Sequence, residues 1–366
     1  MNKKTFILSC VLLALFFGAK SYFDKRQGPA IAPFLQNSIS VFQKNSSSLP
    51  EEWDVSGICI FPEAHRKPWL DAIGQAKKSL RLAAYRLSDP EVIKALVTAA
   101  GKGIDVTLLV EPDFEKNERS ENIASPLDVL KAHNKIKVHH LSKKFKQSHH
   151  KVIIVDEQWA MVSSGNLDAE SFDGINKPAE NLIEKPARDF SITVTEPEMV
   201  KEIITVFDAD IKDEAVTPSH PQLVWGPDTQ RKTFLTMIRS AKKTIHIYQQ
   251  SIQDEEIAKA LAEAAKKGVK VELLMIPFPF NKKADYNVPN QDLIRKAGGV
   301  VHLCNHLYIH AKAMVIDEEV MYIGSCNCYA PSLDETRELG VITNDKTQIT
   351  KVLSVFEADK QQAGLK

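Results

Sequence analysis

The sequence predicts an α/β protein made from one unit used twice, each copy a mostly parallel sheet covered by helices on both faces. Three observations carry that expectation. Short segments recur at a constant offset, strand-like and helix-like segments alternate in the same order in both copies, and both copies end on the same polar motif. A chain of 366 residues suits about two domains of ~100–200 residues, each able to bury its own core. With 15 Gly, 18 Pro and 26% charged residues, collagen-like and low-complexity architectures are excluded. Basic and acidic residues cancel at 47 each, so the basic excess usual in proteins that grip many phosphates is missing.

The repeat is read directly. Lys77-Lys78-Ser79-Leu80 returns as Lys242-Lys243-Thr244-Ile245, Ala95-Leu96 as Ala260-Leu261, Lys102-Gly103-Ile104 as Lys267-Gly268-Val269, and Pro112 as Pro277, always 165 residues on. In order along each copy, Leu80 to Leu87 and Thr244 to Tyr248 have strand character. Asp89-Pro90 and Asp254 have the form of helix starts, and Gly103 and Gly268 suit the ends of those helices. A second strand is expected from Asp105 to Val110 and from Lys270 to Ile276, a second helix from Pro126 to His133 and from Asn290 to Ala297. A third strand is expected from Ile136 to Leu141 and from Val300 to Cys304. Two such units make either two lobes or one pseudo-dimer.

The chemistry stands late in each copy. His149-His150-Lys151, Val152 to Val155 and Asp156 form H-x-K-x4-D; His310-Ala311-Lys312, Ala313 to Ile316 and Asp317 form it again, now 161 residues on. After six further residues come Ser163-Ser164-Gly165-Asn166 and Gly324-Ser325-Cys326-Asn327. Arg188-Asp189-Phe190 then matches Arg337-Glu338-Leu339, and Val206 to Asp210 matches Val355 to Asp359, both 149 residues on. The first copy therefore carries a 12-residue insertion between Asn166 and Arg188.

On a strand, residues two apart share a face. His149 with Lys151, His310 with Lys312, Ser164 with Asn166 and Ser325 with Asn327 therefore project in pairs. If the halves meet, two imidazoles, two ammoniums, two hydroxyls and two amides converge. That set suits a phosphodiester. Lysines and amides hold its oxygens. One imidazole attacks phosphorus and forms a covalent intermediate. The other protonates the leaving oxygen and then activates water in the second step. Asp189 and Glu338 are candidates to fix the imidazole tautomers. Lysines supply the charge, so the scheme requires no metal and no cofactor. A single histidine of this kind is more often a satisfied core or surface residue; the pairing outweighs that here. Asp156 and Asp317, at the far ends of the apolar runs, are expected to serve as turn residues.

The two motifs and their tails resemble the phospholipase D superfamily in its two-motif, single-chain form, over roughly residues 55–360. The resemblance implies two similar α/β/α sandwich lobes forming a pseudo-dimer, with the active site at their interface, a phosphohistidine intermediate and no metal requirement. It assigns His149, Lys151, Asn166, His310, Lys312 and Asn327 to catalysis and implies His149 as the nucleophile and His310 as the acid; the reading of the residues themselves adds Ser164, Ser325, Asp189, Glu338, Asp156 and Asp317 in support. Ser163 departs from the usual glycine, which a negative φ tolerates.

The substrate is less determined than the reaction. Hydrolysis of a phospholipid such as phosphatidylcholine is the first reading, with a membrane surface as substrate, no obligate protein partner and a monomeric chain. The alternatives are a metal-independent nuclease and a phosphatidyl transferase of the cardiolipin synthase kind. Pro277-Phe278-Pro279-Phe280 favours lipid, and the basic run Lys143-Lys144-Phe145-Lys146 favours nucleic acid. A rival from another class is a metal protein using His302, His306 and His310, with His139, His140, His149 and His150 adding to the count.

The first residues have their own signature. Lys3 and Lys4 precede an apolar run from Phe6 to Ala19, so 1–21 is expected to be a signal peptide or N-terminal anchor and 22–50 a linker. The lobes then span 51–216 and 217–366. The expected location is exported, periplasmic or secreted, with membrane anchoring if the leader is kept. Loss of Lys3, Lys4 and Lys20 leaves a body of net charge −3. In an oxidising compartment Cys59, Cys304, Cys326 and Cys328 are available for disulfides.

Overall fold

The computed structural model describes residues 57–111, 126–141, 144–174, 185–277 and 285–363. The leader, the linker, most of the 12-residue insertion and the Phe278–Phe280 part of the apolar loop lie outside these residues, as does Lys143.

Among the described residues, fifteen strands form two sheets of the same topology. In the first, the order is β4 (Ile136–His140), β3 (Asp105–Val110), β2 (Ser79–Ala84), β5 (Val152–Val155), β6 (Trp159–Ser163), β7 (Ala187–Val194), β1 (Ile58–Phe61). In the second it is β11 (Val300–Leu303), β10 (Lys270–Met275), β9 (Thr244–Tyr248), β13 (Lys312–Ile316), β14 (Val320–Gly324), β15 (Glu338–Thr343), β8 (Leu223–Gly226). One short strand breaks the division: β12 (Tyr308–Ile309), from the second repeat, pairs parallel with Ala187 and Arg188 of β7 in the first sheet.

The expected mostly parallel sheet is corrected here. Apart from the short β12–β7 pairing, only β2–β3–β4 and β9–β10–β11 run parallel among the described strands; the pairs from β2 to β1 and from β9 to β8 are antiparallel. The cause is local. Asp156-Glu157 and Asp317-Glu318 all sit at positive φ (53°, 61°, 54° and 58°), the backbone of a tight hairpin whose twist matches its strands. Each Asp stabilises that turn by accepting backbone N–H groups: Asp156 from Lys77, Lys78 and Ser79, Asp317 from Lys242, Lys243 and Thr244. Both are therefore turn residues, as expected, and stand away from the site.

Parallel strands need crossovers, and the helices supply them. α1 (Lys67–Gln75), α2 (Pro90–Gly101) and α3 (Pro126–Lys131) follow β1, β2 and β3. Asp89 caps α2 by accepting from Glu91 and Val92 N–H, with Pro90 in the first turn, and Gly103 at φ 94° turns the chain out. The later repeat copies this arrangement: Asp254 caps α7 (Glu255–Lys266) and Gly268 lies at φ 90°. Before it come α4 (Ala169–Asp173), α5 (Pro197–Lys212) and α6 (Gln230–Ser240); after it come α8 (Val288–Lys296), α9 (Ala330–Asp334) and α10 (Lys346–Ala363).

Strand alternation divides the apolar side chains among three cores. Ile153 and Val155 of β5 join Trp69, Val92 and Leu96 in an outer core of the first lobe. Met314 and Ile316 of β13 join Ile257, Leu261 and Phe234 in the outer core of the second. Their neighbours Val152, Ile154, Ala313 and Val315 point the other way, into one central core shared by both sheets. Phe207 of α5 and Phe356 of α10 fill it, with Phe190 and Tyr248 edge-to-face at 5.2 Å between them. The lobes are thus sealed along a common apolar face, and the two motifs lie at its edge.

The four cysteines within the described residues are free thiols, which answers the question of pairing that the sequence leaves open. Cys304, Cys326 and Cys328 are buried, and burial pushes all three thiols above their ordinary range. They serve as small core side chains.

Candidate active site

Backbone bonds exchanged between the lobes bring the motifs together. The amides of His149 and His150 both donate to the Arg337 carbonyl, at 2.9 and 3.1 Å. The amides of His310 and Ala311 both donate to the Arg188 carbonyl, at 3.2 and 2.8 Å. Each histidine segment is therefore tied to the start of the other lobe's last strand, and the carboxylate that follows there faces it. His149 Nδ1 lies 3.0 and 2.9 Å from the two Glu338 oxygens. His310 Nδ1 lies 3.0 Å from both Asp189 oxygens.

This crossing sets the tautomers. A carboxylate accepts only, so each Nδ1 carries the proton and each Nε2 keeps its lone pair. Burial lowers His149 to about 4, against the upward pull of Glu338, while Lys151 and Lys312 add to the lowering. Burial lowers His310 as well, with Asp189 opposing and Lys312 and Lys151 assisting. Each lysine acts on the other lobe's imidazole, so the four groups share one electrostatic site. The carboxylates stay ionised. Burial works to raise them, but His149 and Lys151 bring Glu338 down to about 2, and His310 and Lys312 hold Asp189 low.

Lys151 and Lys312 are fully buried. Their ammoniums donate to the carbonyls of His149 and His310 respectively, which fixes them beside the imidazoles. Burial lowers Lys151 to about 7 and Lys312 to about 8. Asn166 and Asn327 occupy matching places, and each has a buried side-chain oxygen without a hydrogen-bond partner. Native structures seldom leave such groups unmade, so the pair marks a position where a polar ligand completes the site.

Ser164 and Ser325 depart from the expectation that they share a common surface with the other groups. Ser164 Oγ donates to Asp189 at 2.6 Å, and Ser325 Oγ donates to Glu338. Their hydroxyls are spent on holding the carboxylates. Ser332 Oγ donates to the other Glu338 oxygen, a contact that sequence reading missed. Ser163 has a negative φ, as required, and pairs with Ser191; the second lobe has Gly324 opposite Gly340 instead. Tyr322 fills that space, and a Cβ on Gly340 would meet its ring at 2.1 Å.

Other residues were legible only as repeats. Arg188 binds Asp359 at 2.7 and 2.9 Å, and Arg337 binds Asp210 at 2.9 and 3.0 Å. Each pair joins one repeat to the other, next to the carboxylate that orients a histidine. Their shared 149-residue offset was the available signal. Tyr85 is a further omission: its ring meets His149 edge-on at 4.8 Å and lies 5.3 Å from Lys151 Nζ.

The metal arrangement foreseen from sequence does not assemble. His302 faces Glu272, His306 faces Cys304 and Asp359, and His310 faces Asp189. The described part of the basic run, Lys144 to Lys146, is also occupied. Lys144 donates to the Glu214 carbonyl and pairs with Asp213, Lys146 pairs with Glu335, and the Arg337 guanidinium covers the Phe145 ring at 4.1 Å.

Duplicated sheets that place two histidine–carboxylate pairs and two buried lysines at one interface define an enzyme of the phospholipase D type. The family model described as "Cardiolipin synthase, PLD-like domain" matches residues 69–211 and 234–360, and the chain belongs to that family within the phospholipase D superfamily. Among curated relatives, a cardiolipin synthase of Alkalihalophilus pseudofirmus is 30% identical over 145 residues, covering 38% of this chain and 29% of that protein. The major cardiolipin synthase ClsA of Bacillus subtilis is 28% identical over 141 residues, covering 37% and 29%. The matched segments thus span under a third of these relatives' length. Among solved structures, the phosphatidylserine synthase of Haemophilus influenzae Rd KW20 shares the fold, with a TM-score of 0.59 at 14% identity over 84% of this chain and 85% of that one. The polyphosphate kinase of Porphyromonas gingivalis does so too, with 0.59 at 16% over 82% and 46%.

Proposed function

We propose that this chain is a phosphatidyl transferase of the cardiolipin synthase kind, working through a phosphohistidine. The observation that carries the chemistry is the crossed pairing. Both Nδ1 atoms are engaged by carboxylates, so both Nε2 atoms are left for the reaction. His149 Nε2 attacks phosphorus. The bond from phosphorus to the leaving alcohol breaks as protonated His310 gives its proton to that oxygen. An acceptor hydroxyl then attacks phosphorus, loses its proton to His310, and the phosphorus–nitrogen bond breaks. Lys151, Lys312 and the two asparagine amides hold the non-bridging oxygens.

Charge balance explains how His310 becomes an acid. Two lysines and two carboxylates cancel while both imidazoles are neutral. A phosphodiester brings one negative charge, and one proton taken up by an imidazole restores the balance.

Hydrolysis, the first reading from sequence, has the same first half and differs only in the acceptor. The family and the curated relatives favour an alcohol as acceptor, hence transfer. The nuclease alternative loses support, because Lys144, Phe145 and Lys146 of the basic run ahead of the first motif are engaged in packing and ion pairs. The deciding experiment incubates the purified chain with phosphatidylglycerol vesicles in chelator, beside single-stranded DNA. Cardiolipin and free glycerol are the expected products. Phosphatidic acid alone would return the protein to hydrolysis, and cleaved DNA with intact lipid would make it a nuclease.

A further inference from the structure

The face of the second sheet that meets α10 carries a group the proposed reaction does not use. His246 on β9 and Glu272 on β10 stand in register on neighbouring strands, and Glu357 approaches them from α10. One ligand atom from each lies within 4.8 Å of the others. His246 and Glu272 are 6% and 5% exposed, while Glu357 faces solvent. His302 on β11 brings Nε2 within 3.4 Å of Glu272 Oε1.

A cation already marks the place. Lys360 Nζ lies 3.3 Å from Glu272 Oε1 and 2.6 Å from Glu357 Oε2, so its ammonium sits between the two carboxylates. Lys270 reaches Glu272 Oε2 from the other side at 2.6 Å. The first lobe handles the same location differently. There Arg81 stands where His246 does, Thr107 where Glu272 does and Asp208 where Glu357 does, and Arg81 pairs directly with Asp208 at 3.2 Å. The second lobe has exchanged a fixed guanidinium for an imidazole and has added a carboxylate. Its positive charge must come from outside that set.

We propose that His246, Glu272 and Glu357, with His302 as a fourth donor, form a zinc site in which the ion takes the place of the Lys360 ammonium. Two imidazole nitrogens and two carboxylate oxygens are a donor set that Zn²⁺ accepts in four-coordinate geometry. Lys360 is near the surface and has a flexible stem, so it can swing aside. The consequence would be mechanical. Asp359, between Glu357 and Lys360 in sequence, grips Arg188 and accepts from the Tyr248 hydroxyl at 2.7 Å. An ion joining α10 to β9 and β10 would fix that helix, and with it the segment carrying Asp189. The site is independent of which acceptor the enzyme uses.

The test titrates the chelator-treated full chain with Zn²⁺, following bound zinc by equilibrium dialysis and elemental analysis, and Tm by calorimetry. One zinc per chain and a concentration-dependent rise in Tm are expected. Glu357→Gln, a change at an exposed side chain that the fold tolerates, should weaken binding by at least ~10-fold and remove the Tm rise. Lys360→Met should tighten binding, since the competing ammonium is gone. Absence of bound zinc in the wild type, or unchanged affinity in Glu357→Gln, overturns the proposal.

Discussion

Glu338 and His149 are 189 residues apart in the chain and 2.9 Å apart in space, and the bond between them crosses from one lobe to the other. Asp189 and His310 repeat the contact in the opposite sense. The acid that orients each imidazole is thus supplied by the lobe that does not carry it. Three buried serines hold those acids in turn: Ser164 donates to Asp189, and Ser325 and Ser332 donate to Glu338.

Glu338→Gln should lower kcat by about 10²-fold or more, because an amide can present its NH₂ to Nδ1 and reverse the tautomer. Asp189→Asn should do the same through His310. Steady-state kinetics on phospholipid vesicles measure both. Full activity in either variant would show that the crossed contact is structural only.

His149→Ala and His310→Ala should each lower kcat by at least about 10²-fold. Acid quenching of the wild type during turnover, followed by peptide mass spectrometry, should find phosphate on one histidine, expected to be His149. A turnover mixture with no phosphohistidine would point to direct attack by the acceptor.

The pH dependence has a definite sign. The free site holds neutral imidazoles and takes up a proton with the substrate, so kcat/KM should fall as pH rises. Burial lowers Lys151 to about 7 and Lys312 to about 8, and a lysine is charged only below its pKa. The fall should therefore steepen above neutrality as phosphate binding weakens. A profile from pH 5 to 9 reports the coupled set and not one residue. A profile rising through pH 8 would contradict the scheme.

Arg337→Ala strips the charge partner from buried Asp210 and should cost about 3–5 kcal/mol by urea unfolding, the range for breaking a buried pair. The exposed Lys67–Asp71 pair offers the contrast: Lys67→Ala should change stability by less than ~1 kcal/mol. Equal effects would mean that the Arg337 pair does not join the lobes.

Asp156→Ala should leave kcat close to wild type and cost about 1–3 kcal/mol, since three backbone donors lose their acceptor at the β5–β6 turn. A loss of kcat without a loss of stability would place Asp156 in the chemistry after all.

The sequence carried the duplication because Gly103, Gly268, Asp89 and Asp254 each do a local job that leaves a residue-level mark. It carried the histidines, lysines and asparagines because two copies of one motif constrain each other. It could not show which carboxylate meets which histidine: an offset of 149 residues says that Asp189 and Glu338 are equivalent, not that they are exchanged. The strand directions were misread for a related reason. Asp156-Glu157 lacks the glycine that normally announces a tight hairpin, so a turn could be expected at Asp156 without its direct reversal into an antiparallel strand being legible beside the helix-linked strands. Phe145 was read with its three lysines as a basic run favouring nucleic acid, whereas the guanidinium that covers its ring lies 192 positions further on.

The strand pairing of Tyr308 and Ile309 with Ala187 and Arg188 has a consequence for how activity is acquired. The segment leading to His310 is fastened to the first sheet, so the second histidine is in place only once both sheets exist and have docked. A nascent chain with its first half folded has His149 but neither its orienting acid nor its companion. Competence then arises in one step at the end of assembly, and a product assay on refolding protein would double as a clock for the docking of the two halves.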